Sequence, residues 1–378
     1  MKREKFSIGS EDLIERVERE YQKCIGCKLC TKGCPMLDIF SDNPKNLLRD
    51  LNDEGEFDID LPYSCMICGY CQEVCPADIS FRDLFYRFRQ ITVEQNGGDL
   101  PSHLGTKNVD LHQYFSFSKI FTDDIKGYGE TIFFPGCSLM SYDPDMVIEI
   151  YRYLSDNIEI GFCNKCCGKP TDFLGKKDKF NLYLSELKEE FKRKNVKKII
   201  TGCQNCYMSF VRNIPDMEIV SVYEELDRIG IPQHAKKKYS KLNMEVTVHD
   251  PCPTRSFPQI HDSIRNLLKD LGIKTNDMKY TRNKTLCCGM GGMISKTSPA
   301  ISESHRKRVA GEVEDEIVVS YCQQCVSAMR ASKKDSIHIL DMIFTENYED
   351  RFKRKVGLLQ SWNNRLKIRK IFKEIEDE

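Results

Sequence analysis

The sequence has no long apolar run. Its longest uncharged stretches, Ile199 to Val211 and Ile317 to Met329, reach 13 residues each, short of the ~18 that a membrane-spanning helix needs. An integral membrane protein is therefore not expected. Charge of one sign is not in excess either: 57 Lys and Arg face 57 Asp and Glu, so no global field draws the chain to nucleic acid. Residues 1–10 hold no apolar core and no small-residue cleavage site, so secretion is not expected. No G-x-G-x-x-G opens a helix after a strand, and no Walker A sequence is present, so no nucleotide or flavin cofactor is expected on this chain. Its 378 residues, 40% of them hydrophobic, suffice for two to three packed domains. Cysteine, by contrast, is abundant, with 19 residues. In a reducing cytoplasm, closely spaced thiols are more often metal ligands or redox groups than structural disulfides.

Eight of the cysteines form two runs of C-x2-C-x2-C-x3-C-P. Cys24, Cys27, Cys30 and Cys34 precede Pro35; Cys65, Cys68, Cys71 and Cys75 precede Pro76. This is the run of bacterial two-cluster ferredoxins, in which the fourth Cys serves the other cluster. The expected ligand sets of two cubane [4Fe–4S] clusters are thus Cys24, Cys27, Cys30 and Cys75, and Cys65, Cys68, Cys71 and Cys34. Structural zinc would instead use pairs of C-x2-C. The long spacer between the runs, with helix-like stretches such as Asn43 to Leu51, predicts a helical dicluster module.

The other eleven cysteines repeat at long range. Cys137, Cys166-Cys167-Gly168 and Cys203-x2-Cys206 are followed by Cys252, Cys287-Cys288-Gly289 and Cys322-x2-Cys325. Corresponding cysteines lie 115, 121, 121, 119 and 119 residues apart, which marks an internal duplication. Strand-like runs at Thr131 to Phe134, Ile199 to Thr201, Met217 to Val222, Met244 to Val248, Val318 to Ser320 and Ser336 to Leu340 alternate with helical stretches at Asp178 to Lys194 and Pro299 to Glu312. The expected fold class is α/β, each half with a small parallel sheet flanked by helices. In such sheets ligands gather at the carboxyl ends of strands, where the cysteines lie.

These residues resemble the CCG-domain iron–sulfur family, whose catalytic member is heterodisulfide reductase. The order, ferredoxin runs and then two CCG motifs, is similar to the heterodisulfide reductase chain that fuses a ferredoxin module to two CCG domains, and to the iron–sulfur subunits of glycolate oxidase and anaerobic glycerol-3-phosphate dehydrogenase. The resemblance implies two noncubane [4Fe–4S] clusters with five Cys ligands each: Cys137, Cys166, Cys167, Cys203 and Cys206 in one, and Cys252, Cys287, Cys288, Cys322 and Cys325 in the other. The 28-residue gap after Cys137 is at the short edge of the family's range. Cys163 is left over, a packed bystander or a further ligand. The family mechanism implies that the paired clusters reduce a small-molecule disulfide to two thiols, with electrons supplied through the cubanes by a flavoprotein, cytochrome or hydrogenase-type donor. The other reading is a non-catalytic electron-transfer subunit between a flavin dehydrogenase and a quinone or other carrier.

Further candidates stand beside these ligands. His249 precedes Cys252 by three residues and is a candidate proton donor to a leaving thiolate, or it ends a strand with Asp250 capping the next turn. Gly168 and Gly289, with the loop Gly289-Met290-Gly291-Gly292, are expected to let the backbone approach a cluster rather than to cradle a phosphate. His103, His112, His234 and His338 are isolated in sequence and are expected at the surface or in the core. The domain layout expected is a ferredoxin module at 1–95, a linker at 96–128 poor in periodicity, CCG halves at 129–241 and 242–348, and a basic amphipathic helix at 349–378. That helix carries nine Lys/Arg from 351 to 373 and a stripe of Phe352, Val356, Leu359, Trp362 and Leu366. The stripe packs on the protein, or the helix meets a partner or the inner face of the membrane.

Overall fold

A computed structural model describes residues 4–374. The first third is mainly helical. Strands β1 (Lys5–Ser7) and β2 (Glu56–Asp58) form an antiparallel ribbon against the helices Glu11–Lys23, Pro44–Glu54 and Phe81–Gln95. Their apolar faces close one core that includes Val17, Leu48, Phe57, Phe85 and Phe88, with Phe57 stacked on Phe88 at 4.3 Å. Helix Pro44–Glu54 starts where the Asn43 side chain accepts the Lys45 amide at 3.0 Å and stops at Gly55, whose φ of 65° few other residues adopt easily.

Two four-stranded parallel sheets come next. The first comprises β3 (Thr131–Phe134), β4 (Gly161–Phe162), β5 (Lys198–Thr201) and β6 (Glu218–Ser221), in the order β4-β3-β5-β6. The second comprises β7 (Glu245–His249), β8 (Lys274–Asp277), β9 (Ile317–Ser320) and β10 (Asp335–His338), in the order β10-β9-β7-β8. Read from the other edge, the second order is the first repeated, so the duplication expected from the cysteine spacing is present in the topology. The helices Lys177–Arg193 and Pro299–Ala310 occupy the expected stretches. β4 and β8 are additions, one of two residues and the other polar and exposed.

Beside clusters of their own, the two halves share a core. One buried cluster runs from Phe133, Ile200, Tyr223 and Leu226 to Val246, Ile264, Val319 and Leu340. Helix Val222–Ile229 lies along helix Pro258–Asp270, and the Tyr223 hydroxyl donates to the Tyr321 carbonyl at 3.1 Å. Helix Gln204–Asn213 packs on the turn Cys252–Thr254, while helix Gln323–Ala331 packs on helix Cys137–Tyr142. The contacts are reciprocal, as two-fold pseudosymmetry requires.

Arg89 fastens the helical module to both halves. Its fully buried guanidinium donates to the carbonyls of Pro62 at 2.9 Å and Cys65 at 2.6 Å in the helical module, of Phe173 in the first half, and of Gly292 at 2.7 Å in the second. A planar fork of donors can satisfy several carbonyls at once. Gly175 is required beside it, because a Cβ there would lie 2.5 Å from the Arg89 carbonyl.

Two expected segments gain detail. Residues 96–128 hold an eleven-residue helix, Lys107–Phe117, which packs between elements: Phe117 stacks on Tyr183 at 4.1 Å, and Phe115 meets Trp362 at 5.8 Å. It escaped notice because its buried residues are Val109, Gln113 and Ser116, mostly polar. The tail forms two helices, Glu349–Phe352 and Leu358–Glu374, separated around Gly357. Leu359 is 82% exposed and Leu366 is also exposed, whereas Arg365, Ile368 and Phe372 are buried. Of the expected apolar stripe, Phe352, Val356 and Trp362 pack on the protein, while Leu359 and Leu366 do not. Residues 375–378 of the expected tail lie outside the described residues.

Candidate metal centres

The first cysteine run begins where Cys24 caps helix Glu11–Lys23, its amide bonded to the Glu20 and Tyr21 carbonyls. Left-handed Gly26 and Lys28 curl the loop so that Cys24, Cys27 and Cys30 face Cys75 across an empty space of about 390 Å³, also lined by Cys71. Cys24 feels Cys75 before its own neighbour Cys27. Cys34 feels Cys68, Cys65 and Cys71 rather than the rest of its own run. In each run the last cysteine thus lies among thiols of the other run. Burial raises Cys34 and pushes Cys30 and Cys65 up to about 12 and Cys71 to about 11. The amides of Arg82 and Phe81, at the start of helix Phe81–Gln95, partly offset this at Cys71. Buried thiols grouped in this way ionise readily only with a cation among them. Cys27 is the only exposed cysteine; none of the nineteen is in a disulfide.

In the first sheet half, all the cysteines lie beyond strand carboxyl ends. Cys137 opens a helix after β3, and Cys203 caps the helix after β5. Gly136, at φ 82°, has no room for a side chain: a Cβ would stand 2.6 Å from the Cys203 Cβ. The thiols touch in sequence. Cys137 is 3.9 Å from Cys166, Cys166 adjoins Cys167, Cys167 adjoins Cys206, and Cys206 adjoins Cys203. The second half repeats this as Cys252, Cys287, Cys288, Cys325 and Cys322. In each half the second Cys of Cys-Cys-Gly is lowered by hydrogen bonds, Cys167 to about 6 through Cys166 and then Cys206, and Cys288 through Cys287 and then Cys325. Tyr223 is within electrostatic reach of both Cys322 and Cys203, so the two sets flank one buried ring. Among the described residues, no three or more His, Cys, Asp or Glu side chains close on a single metal ion. The donor chemistry, soft thiols in fours and fives around shared space, fits iron–sulfur clusters.

One contact joins the modules. The Cys68 thiol of the second ferredoxin run packs against Cys287. Met66 packs with Cys287 and Ile294, and the glycine loop makes room: a Cβ on Gly292 would be 2.6 Å from the Cys65 carbonyl, and one on Gly291 2.8 Å from the Met66 carbonyl. These glycines admit the ferredoxin chain. Gly289, at φ 84°, lies against the Ser302 carbonyl, while Gly168, at φ 74°, faces Phe180.

His249 is buried at the end of β7, its Nε2 3.3 Å from the Leu286 carbonyl and its Nδ1 3.5 Å from Ser320 Oγ. A carbonyl only accepts, so Nε2 carries the hydrogen. Asp250 does more than cap: it receives both arms of Arg265 at 2.9 Å, the Tyr321 hydroxyl at 2.8 Å and the Arg282 amide at 2.9 Å. Despite its burial, Arg265 holds its carboxyl well below the usual range. Cys163 is buried with Ile125, Phe134 and Phe180; burial and Glu190 push it up to about 12. Its charged neighbours are Glu190, Lys165 and Asp124, not the thiol chain.

Sequence reasoning missed the wall of the first half. His112, expected to be isolated, hydrogen-bonds Cys137 and lies 5.1 Å from the Trp362 ring. Gln113 donates to Cys166 at 3.5 Å. Arg365 donates to Ser116 Oγ at 2.8 Å and sits 4.8 Å over Trp362. In the second half, His305 is buried near Cys288 with its Nε2 unpartnered, and burial lowers it to about 3. His103 stands exposed near Glu4, His234 is exposed, and His338 is buried.

The model of the 4Fe–4S dicluster domain family matches residues 23–80, and that of the CCG cysteine-rich domain matches residues 131–211 and 246–330. One chain of the fumarate reductase (CoM/CoB) of Methanothermobacter marburgensis is 25% identical over 376 residues, 89% of this chain and 72% of that protein. An uncharacterized iron–sulfur protein of Methanocaldococcus jannaschii is 24% identical over 347 residues, 84% of this chain and 69% of that one. The EtfAB:quinone oxidoreductase of Syntrophomonas wolfei is 22% identical over 260 residues, 61% of this chain but 36% of that protein.

Proposed function

Because the chain belongs to the iron–sulfur proteins that join a 4Fe–4S dicluster domain to CCG cysteine-rich domains, we propose that it is an oxidoreductase subunit that delivers electrons to a disulfide. Cys24, Cys27, Cys30 and Cys75, and Cys34, Cys65, Cys68 and Cys71, would hold two cubane clusters; the five thiols of each CCG half would hold a noncubane cluster. When bound, such clusters supply electrons one at a time, and the paired halves together supply the two that a disulfide requires.

The observation that carries this reading is the Cys68–Cys287 contact, which makes the second half the neighbour of the ferredoxin runs. The first run receives electrons at the exposed Cys27, beside Ile25 at 71% exposure, a surface suited to a flavoprotein, cytochrome or hydrogenase-type donor. From there the order is first run, second run, second half, and then the first half across Tyr223. His249 keeps its Nε2 hydrogen on the Leu286 carbonyl, so a proton donated to a thiolate from it requires that bond to break. No described helix is long and apolar enough to cross a membrane; any contact with the membrane's inner face would be peripheral.

The reading is tested by loading the protein anaerobically, expecting about sixteen iron and sixteen sulfide per chain, and by following reduction of a mixed thiol disulfide with a reduced low-potential dye. Disulfide turnover supports it. Full clusters that reduce a quinone but no disulfide would support the second reading, an electron-transfer subunit, which the similarity to a quinone oxidoreductase favours.

A further inference from the structure

Arg365 is 2% exposed, and its guanidinium is only partly satisfied. Nη1 donates to Ser116 Oγ at 2.8 Å, but Nε and Nη2 have no hydrogen-bond partner among the described residues. A permanently charged group withdrawn from water with two unpartnered nitrogens is strongly unfavourable unless something anionic completes it.

Its position is fixed from three sides. Ser116 lies on the same helix as Gln113 and His112, which contact Cys166 and Cys137. Trp362, under the guanidinium at 4.8 Å, also lies 5.1 Å from the His112 ring. The neighbouring Asn364 donates to the Ser141 carbonyl at 2.7 Å, in the helix that Cys137 opens. Burial lowers the guanidinium's pKa, and Cys137 and Cys166 are the charges that oppose this. The second half differs here. There Arg255 spends its donors on the carbonyls of Cys68, Asn283 and Thr285.

We propose that Arg365 is a positioning cation of the first half, its free Nε–H and Nη2–H donating to the sulfurs of the cluster held by Cys137 and Cys166 and making that cluster the easier of the pair to reduce. The inference rests on the ligand assignment above. Five thiolates leave a cluster with net negative charge, and reduction adds one more; an adjacent fixed cation and hydrogen bonds to sulfur favour the reduced form. The step is a one-electron transfer within the chain. The first half gains the electron that the second half loses, and the donor bound near Cys27 replenishes it. No proton moves and no bond forms. The tail helix thus sets the direction of electron flow between the two halves.

The test is a redox titration followed by electron paramagnetic resonance on the full chain, with iron counted in every sample. The first-half signal is the one that Cys137→Ser perturbs. In Arg365→Gln its reduced-to-oxidised ratio at fixed potential is expected to fall at least tenfold, a downward shift of 59 mV for one electron. The other midpoints and the iron content stay unchanged, and Arg365→Lys recovers part of the shift. An unmoved midpoint at full iron overturns the proposal. Should the Gln variant lose its cluster, wild-type protein labelled with nitrogen-15 arginine decides: a guanidinium coupling to the first-half signal is expected, and its absence overturns the proposal. If wild type has no signal that responds to Cys137→Ser, the ligand assignment itself fails, a result separate from either outcome for Arg365.

Discussion

The two CCG halves share a strand order and a chain of five touching thiols, yet their surroundings are built from different material. The second half is covered by the ferredoxin loop, through Cys68, Met66 and the glycines that admit them. The first is covered by a helix from the segment between modules and by the tail, through His112, Gln113 and Arg365. The difference teaches that a duplicated scaffold keeps what holds the cofactor and varies what touches it: one half is made adjacent to the supply, the other is given a buried charge.

Four measurements would break or sharpen that contrast. Cys287→Ala removes the thiol that meets Cys68, so dye-driven disulfide turnover is expected to fall by roughly 100-fold or more, with neither half reduced while the ferredoxin signals persist. Its counterpart Cys166→Ala is expected to leave the second half reducible; equal loss of reduction in both variants would abolish the distinction. Next, Arg89→Met removes four hydrogen bonds to carbonyls of three modules, and a loss of about 3–4 kcal/mol is expected, read as a lower midpoint in chemical denaturation. A loss below about 1 kcal/mol would mean that the halves hold the ferredoxin module without it.

The third concerns equivalent caps. In the first half, Ser221 begins the helix after β6 in a reciprocal cap with Glu224; in the second, buried His338 begins the helix after β10, its Nδ1 accepting the Leu340 amide at 3.3 Å. Burial lowers His338 from its ordinary 6.5 to about 3. Below pH 6.5 the unfolded chain binds a proton that the folded chain refuses, so stability falls as pH falls, by about 2 kcal/mol between pH 6.5 and 5. His338→Ser, which copies the first half, is expected to flatten that slope in thermal melts; an unchanged slope would assign the acid sensitivity elsewhere. The smallest effect is expected at the tail: Leu359→Ser should change stability by no more than about 0.5 kcal/mol, since the side chain faces water. A larger loss would return Leu359 to the apolar stripe expected from the sequence.

The strands that carry cysteines were legible because β-branched runs end at motifs of fixed spacing, and the spacing itself exposed the duplication. β4 and β8 were not, since a two-residue strand has no pattern and Lys274-Thr275-Asn276-Asp277 is polar at every position. The wall of the first half was hidden for another reason. A helix whose inward residues are Gln113 and Ser116 carries no apolar period, and Arg365 turns inward against the usual rule for charge. An interior anion, as proposed above, would make that orientation favourable, and periodicity does not reveal one 228 residues away in sequence, the separation of Cys137 from Arg365.

The exposure of Cys27, alone among nineteen cysteines, also fixes how the protein should fail in air. Oxidants attack accessible sulfur first, so damage begins at the first cysteine run, the proposed entry point for electrons, while the buried pairs survive. Material handled aerobically would then keep an intact interior that no donor can reach, and its inactivity would report a severed entrance rather than a missing site.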